Sequence, residues 1–409
     1  MSIVVPTSDE DPTLAVARFT GEMAWAQAGP DIAEAQVARI CVEADNLMQE
    51  GRWSDLVSLL LTSFDLVFAN AQEKDLECVF AVICNLVSKA RSPDEALAMA
   101  DQIATKLTAN PNDKPAVQLK ILFSLYNIIG NPYGKFLIYK RALKLAINGK
   151  VSELIIPSFK RIDTFLKEWN IGATERRELY HGMTNILKDV KGSTKESFTF
   201  LMKYLETFAE EDPHTLSEAK EEAVRAIIEF VKAPDMFQCD LLELPAVRQL
   251  QQDAKYASVY ALLEIFLTRR LDSYLEFQAA NPSLLTNYGI SHEESVTKMR
   301  LMSLGDLASQ MQEIPYAHVQ DTLKIPQEEV EYWIVRGISS KLLDAKMDQM
   351  RQVAVISRCT ERVFGVAQWR ELYSKLGVWR DNVSNVVKMV QNSRAAGNDI
   401  PQALVAAMH

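Results

Sequence analysis

Histidines are the first residues to test for chemistry, because paired imidazoles are common ligands of catalytic zinc. The chain has five, and none lies at metal-ligand spacing from another. They are His181, His214, His292, His318 and His409. Neither a His-Glu-x-x-His pattern nor a His-x-His pair occurs. The sequence therefore predicts no metal site and no metal-dependent hydrolase.

One stretch comes close to a phosphate-binding loop, namely GNPYGKF at 130–136. It is one residue too short before Gly134-Lys135, and Phe136 stands where a Ser or Thr would bind magnesium. A turn between helices is the better interpretation. Since Gly-x-Gly-x-x-Gly and Gly-x-Ser-x-Gly patterns are also absent, we expect no cofactor and no enzymatic activity.

A basic cluster could instead contact RNA, with lysine and arginine neutralising phosphates and aromatic rings stacking on bases. Its basic members are Lys135, Lys140, Arg141 and Lys144, with Tyr133 and Tyr139 interleaved. An ordinary solvated helix face has the same composition, so weak RNA contact stays open at this point.

Composition restricts the classes of protein and of partner. Of 409 residues, 48% are hydrophobic and 24% charged, with a net charge of −10. An acidic chain gains no general electrostatic attraction to nucleic acid. Five scattered cysteines without paired spacing are typical of a reducing compartment, and neither a signal peptide nor a membrane span is indicated. We therefore expect a cytoplasmic protein that does not bind membranes.

The elements that position these residues are nearly all helical. Residues 1–30 contain Pro and Gly among acidic residues and are expected to form a loose arm. Helical signals then recur about every twenty residues. The capping-box spacing of a hydroxyl and a glutamate occurs at Ser193–Glu196, Thr215–Glu218 and Ser291–Glu294. We predict a helical-repeat region of the HEAT or TPR kind over 31–200.

Three short helices and a β-hairpin follow between about 291 and 358, which is the order of a winged helix. Alternation of side chains over Leu343–Asp348 and Val353–Ser357 predicts the two strands. The third helix begins QEEVE at 327–331, and these carboxylates would face phosphates. Reading of a DNA groove is therefore disfavoured, and the hairpin is better interpreted as an edge that joins a neighbouring protein.

The last long helix, predicted over 366–392, carries an apolar seam with steps of three and four residues. The seam consists of Trp369, Leu372, Leu376, Trp379, Val383, Val386 and Val390. This spacing is typical of helices that pack along each other's length, and both packing on a partner and packing on the helix's own domain stay open at this point. Gly377 interrupts it and casts doubt on a straight helix at that point. Residues 393–409 are expected to be a flexible tail.

Several stretches resemble a known family. Helical repeats that run into a winged helix with the hairpin LLDAKMDQMRQVAVIS resemble the PCI domain of the proteasome lid, the signalosome and translation initiation factor 3. Closer resemblance is to the subunit M family of that initiation factor. It is carried by NPYGKFLIYKRALKLA, TFLKEWNI, HEESVTKMRLMSLGDLA and the stretch from Ala345 to Val383.

This resemblance implies a mostly α-helical, non-catalytic scaffold with a PCI domain over 201–365. Its partners would be other PCI and MPN subunits of the factor, with the small ribosomal subunit reached through the complex. It implies a winged-helix contact through Met347, Val353, Val355 and Ser357, and a helical bundle through the seam. A scaffold of the signalosome or proteasome lid, or a standalone RNA-binding winged helix, remains the alternative.

Overall fold

The computed structural model describes residues 11–25, 30–188, 190, 192–209, 211–363 and 365–398. The chain divides into two compact units, Met1–Thr207 and Phe208–His409. Helices dominate both units, as the sequence predicts. No described helix combines the length and the apolar composition that crossing a membrane requires.

In unit 1 several helices pack on their neighbour along the chain, namely the first on the second, the seventh on the eighth and the eleventh on the twelfth, whereas the fifth packs on the seventh. The helices of this unit are α1 Pro12–Ala24, α2 Pro30–Glu50, α3 Trp53–Thr62, α4 Phe64–Asn70, α5 Glu73–Leu86, α6 Pro93–Thr108, α7 Pro115–Ile128, α8 Pro132–Asn148, α9 Ser152–Phe159, α10 Ile162–Trp169, α11 Ala173–Lys188 and α12 Thr194–Glu206. Pairing of neighbours along the chain agrees with the predicted helical-repeat class.

Aromatic side chains form much of the core of this unit. Phe64, Phe68 and Phe80 join α4 to α5, with ring centroids 5.2–6.2 Å apart. Trp169 closes α10 onto Phe136 and Tyr139 of α8, at 6.0 and 5.1 Å. Stacked, tilted and edge-on ring pairs of this kind each contribute roughly 0.5–1.5 kcal/mol beyond the apolar area that they bury.

The sequence predicts a loose arm over residues 1–30, but the structure has the helix α1 within it. Pro12 occupies the first turn of a helix, and the Asp11 carboxylate accepts a hydrogen bond from the Thr13 amide at 2.7 Å. Val16 and Ala17 are buried, and α1 packs on α2. Proline is compatible with the first helical position, so it starts this helix rather than breaking it. The rest of the predicted arm, 1–10 and 26–29, lies outside the described residues.

Unit 2 contains ten helices and three strands among its described residues. The helices are α13 Pro213–Glu218, α14 Lys220–Lys232, α15 Pro245–Arg248, α16 Ala257–Thr268, α17 Leu271–Ala280, α18 Pro282–Asn287, α19 His292–Gln310, α20 Tyr316–Leu323, α21 Val330–Ser339 and α22 Val366–Asn398. The strands are β1 Glu313–Pro315, β2 Leu343–Asp348 and β3 Val353–Cys359. From α19 to β3 this is the predicted winged-helix order.

The sheet has one strand more than predicted. Its order is β1-β3-β2 with antiparallel pairing throughout, and Ile314 lies opposite Ala354 in the register of β1 on β3. The hairpin β2-β3 is confirmed. Between Asp344 and Ala345 the register shifts, because Asp344 pairs with Arg358 and Ala345 with Ile356. Ser357 is thus the extra residue of a β-bulge, which increases the local twist of the strand.

The three predicted capping boxes have different outcomes. Ser291 accepts a hydrogen bond from the Glu294 amide at 3.4 Å and begins α19 as predicted. Ser193 precedes α12 but its side chain makes no capping bond. Thr215 lies inside α13, so the third prediction is wrong. The chain begins that helix at Pro213 instead.

Lys298 of α19 is an ionisable residue in the core of unit 2. Its Nζ donates to the carbonyl oxygens of Phe230 and Ala233, the latter at 2.8 Å, and lies 4.1 Å from the centre of the Phe230 ring. These carbonyls are at the carboxyl end of α14, where orphan acceptors need donors. Lys298 therefore joins α19 to α14.

We expect the stability of unit 2 to rise with pH above neutrality. Burial lowers the pKa of Lys298 from its ordinary value of 10.5 to about 7. Just above pH 7 the Lys298 side chain binds more protons in the unfolded chain than in the folded one, so the free energy of unfolding rises with pH. Burial raises the pKa of the Cys239 and Cys359 thiols to about 12 and about 11, and these groups act in the opposite direction above about pH 9. Urea unfolding at pH 7, 7.5 and 8 therefore measures the slope that Lys298 sets. Lys298→Met should reduce the slope of unfolding free energy against pH, whereas Lys232→Met, at an exposed site, should not. Equal slopes in wild type and both variants would contradict the assignment of the slope to Lys298.

Candidate interaction surfaces

The C-terminal helix α22 exposes its entire predicted seam. All seven seam residues are exposed, from 38% for Leu372 to 72% for Trp379. The helix has 33 residues, extends beyond the predicted end at 392, and continues through Gly377 without a break. A methyl group added at Gly377 would meet no heavy atom within 4 Å. Residues 399–409 of the predicted tail lie outside the described residues.

Arg362 fixes the segment from which α22 departs. Its side chain is buried, with Nε donating to the Met302 carbonyl at 2.9 Å and Nη1 to the Arg269 carbonyl at 2.6 Å. Further bonds run from Nη2 to Met302 and from Nη1 to Phe266 at 3.4 Å. The backbone oxygen of Arg362 accepts from the Cys239 amide at 3.0 Å. The guanidinium thus connects the end of α16, the middle of α19 and the segment before α22.

Burial lowers the pKa of Arg362 from 12.5 to about 10, so its guanidinium stays charged at neutral pH. A buried charge is tolerated where hydrogen bonds compensate its lost hydration, and here three carbonyls supply them. Sequence reasoning missed this residue, since an isolated arginine after a strand carries no local signal.

The four predicted winged-helix residues lie on two faces of the sheet. Met347 pairs with Ala354 and shares its face, which also carries the buried Ile314. Met347 is 41% exposed at the margin of that face. Val353 and Val355 are half-buried on the opposite, outward face, and Ser357 is exposed at the bulge. The structure brings Val353 and Val355 together and separates them from Met347.

Backbone pairing restricts how this sheet could be extended. Val353–Val355 pair with β1 on one side and with Lys346–Asp348 on the other, so the backbone of β3 is occupied there. Among the described residues, no strand pairs with the outer edge of β2 or with that of the three-residue β1. A strand from another protein would therefore have to add at β2 or at the shorter β1, while Val353 and Val355 offer side-chain contacts only.

The predicted basic cluster lies on α8 but is partly neutralised. Lys140 forms an ion pair with Glu178, and Arg141 pairs with Asp101 at 2.5 Å. Lys135 Nζ lies 5.7 Å from the centre of the Tyr126 ring. Of the two tyrosines, Tyr133 is exposed, but Tyr139 is buried and its hydroxyl bonds Ser158 at 2.8 Å. Lys144 and the paired Lys140 and Arg141 border a cavity of about 380 Å³. Base stacking on Tyr139 is not possible here.

The stretch that approaches a phosphate loop begins a helix. Asn131 Oδ1 accepts hydrogen bonds from the amides of Tyr133 and Gly134, at 2.9 and 3.3 Å, and Pro132 takes the first helical position. The amides of this stretch are thus bonded by the N-cap side chain of Asn131. In the part of the chain that the structure describes, no three His, Cys, Asp or Glu residues are grouped as metal ligands.

Comparison with known proteins agrees with this geometry. The PCI domain family model matches residues 278–358, and the model of the eIF3 subunit M C-terminal helix matches residues 362–389. The second range begins at Arg362 and contains the seam residues up to Val386. The two models thus meet at the segment that Arg362 anchors.

Relatives match over most of their length. Eukaryotic translation initiation factor 3 subunit M of Dictyostelium discoideum is 33% identical over 355 residues, which cover 85% of this chain and 87% of the relative. The subunits M of Gallus gallus and Homo sapiens are each 27% identical over 317 residues, or 77% of this chain and 82% of theirs. The chain therefore belongs to the eukaryotic translation initiation factor 3 subunit M family.

Proposed function

We propose that the chain is a non-catalytic scaffold subunit of translation initiation factor 3 in the cytoplasm. Its α22 and its winged helix hold other PCI and MPN subunits, and the assembled factor supports preinitiation on the small ribosomal subunit and recruitment of mRNA. Family membership supports the initiation factor over the signalosome and the proteasome lid. The observation that carries the proposal is the exposed apolar seam of α22.

The seam is poorly suited to a lone chain in water. Each apolar side chain removed from water contributes about 25 cal/mol per Å², and a contiguous exposed patch of this kind marks an interaction site. A helix of 33 residues is about 50 Å long, so its seam can reach along a full bundle of partner helices. Seven apolar residues in steps of three and four supply knobs along that length.

The winged helix offers a second, smaller contact. Val353 and Val355 face outward on the sheet, flanked by the exposed Lys346 and by the Arg351–Glu313 ion pair at 3.1 Å. The half-buried valines have little further apolar area to bury. This contact therefore contributes little binding free energy and mainly orients the neighbouring subunit. We therefore assign most of the binding free energy to α22.

Affinity purification of the tagged chain from cytosol, with and without nuclease, tests the proposal. We expect initiation-factor subunits to remain bound after nuclease treatment, accompanied by small ribosomal proteins before it. Signalosome or lid subunits in their place would overturn the assignment to the factor. A chain recovered alone, or only with nuclease-sensitive RNA, would overturn the scaffold proposal and favour RNA binding.

A further inference from the structure

The apolar surface of α22 is wider than its seam. Val366, Tyr373 and Val387 are exposed and follow one another at multiples of seven residues. In a heptad numbering of α22, position a holds Trp369, Leu376, Val383 and Val390, and position d holds Leu372, Trp379 and Val386. The second stripe then occupies position e. Tyr373 is the most exposed of the three, at 81%. An apolar a, d and e face is typical of a helix inside a bundle, whereas a two-stranded seam needs only a and d.

Arg380 occupies the same e position between Tyr373 and Val387. Its side chain is exposed, and its Nε and Nη2 donate to Asp381 Oδ1 at 3.1 and 3.0 Å. Asp381 is at position f, which points away from the apolar face. The stripe is therefore interrupted by one permanently charged group whose present partner lies on the solvent side.

From this arrangement we infer that α22 is covered by an amphipathic helix of another subunit with an aspartate or glutamate opposite Arg380. The inference rests on the scaffold function proposed above and specifies the chemistry of the partner. A guanidinium cannot shed its proton, and covering the stripe removes water from it. Burial of the Arg380 guanidinium without an opposing carboxylate would be costly, whereas a carboxylate can accept two parallel hydrogen bonds from the guanidinium.

A second copy of α22 does not meet that requirement, because its two acidic residues, Glu371 and Asp381, lie at positions c and f, away from the apolar face. In a parallel pair of helices, a residue at g faces the e residue five positions later in the other helix. Lys375 is at g, so it would face Arg380 of the second copy, twice in each pair. Between Val366 and Asn398 the helix has five basic residues against two acidic ones, while the whole chain has a net charge of −10. The helix thus favours an acidic partner over itself.

Arg380→Met tests the inference by the direction of its effect. Methionine has a similar helix propensity and completes the apolar stripe, so without an opposing carboxylate it would strengthen binding. With an opposing carboxylate it leaves that group buried and unpaired. We expect full-length Arg380→Met to bind the factor reconstituted without this subunit at least about tenfold more weakly than wild type. Equal or tighter binding would overturn the inference.

Two matched variants complete the experiment. Lys388→Met removes a charge at position f of the same helix and should keep wild-type affinity; a loss equal to that of Arg380→Met would reduce the effect to net charge and overturn the inference. Asp381→Asn should also keep wild-type affinity. A tenfold loss in that variant would show that the carboxylate of this chain is the partner of Arg380.

Self-association of the full-length chain, if Leu376→Glu abolished it, would likewise overturn the inference. If Leu376→Glu bound the reconstituted factor with full affinity, the scaffold proposal itself would fail.

Discussion

A chain that carries Leu376→Glu together with Val386→Glu is expected to bind the other subunits about 1,000-fold more weakly than wild type. Both residues lie on the seam and are exposed in the lone chain. A carboxylate placed in a packed apolar interface loses its hydration without gaining a partner, and two of them would cost about 4 kcal/mol of binding free energy. Co-sedimentation with the assembled factor measures the loss.

The same substitutions should leave the isolated chain unchanged. Glutamate is a good helix former, and at exposed sites its charge is solvated, so helicity and thermal unfolding should match wild type. Ser374→Glu with Asn385→Glu is the matched control, because it adds the same charge at exposed positions on the opposite side of α22. We expect the control chain to co-sediment normally. If the seam variant did so too, the assignment of the seam to a bundle would be wrong.

The seam could be predicted from sequence because only local spacing defines it. A helix whose apolar side chains stay exposed among the described residues shows those side chains as a simple period, and α22 exposes all seven residues of the seam. The winged helix was predictable for a related reason, since three helices and an alternating hairpin follow one another within about 65 residues. Gly377 was over-interpreted: one glycine costs about 1 kcal/mol, which a helix of this length tolerates.

Elements that depend on distant contacts could not be predicted. β1 has only three residues, Glu313–Pro315, too few to show alternation, and it exists because Ile314 and its neighbours pair with β3. Lys298 resembles any lysine on a helix, yet its partners are 65 and 68 residues away. The division of Met347 from Val353 and Val355 needed the observed register, because a one-residue change in pairing exchanges the two faces.

Arg362→Met is the second change with a large expected effect, because it removes the anchor between α22 and the body of unit 2. The carbonyls of Met302, Phe266 and Arg269, 60 to 96 residues away in the chain, would lose a charged donor inside the protein. A hydrogen bond to a charged group contributes roughly 1.5–3 kcal/mol, and unsatisfied buried acceptors add their own cost. We expect unit 2 to lose about 3 kcal/mol or more of its free energy of unfolding.

Amide hydrogen exchange can locate this effect as well as measure it. Protection should fall in α16, in α19 and at the Cys239 amide, which bonds the Arg362 carbonyl, while α6 and α8 of unit 1 keep theirs. Arg358→Met, at an exposed site in β3, is the control and should leave protection unchanged. A stable Arg362→Met chain with full protection would show that the carbonyls find other donors. In the expected case the seam is intact but departs from a loosened segment, so assembly should weaken even though no residue of the seam has changed.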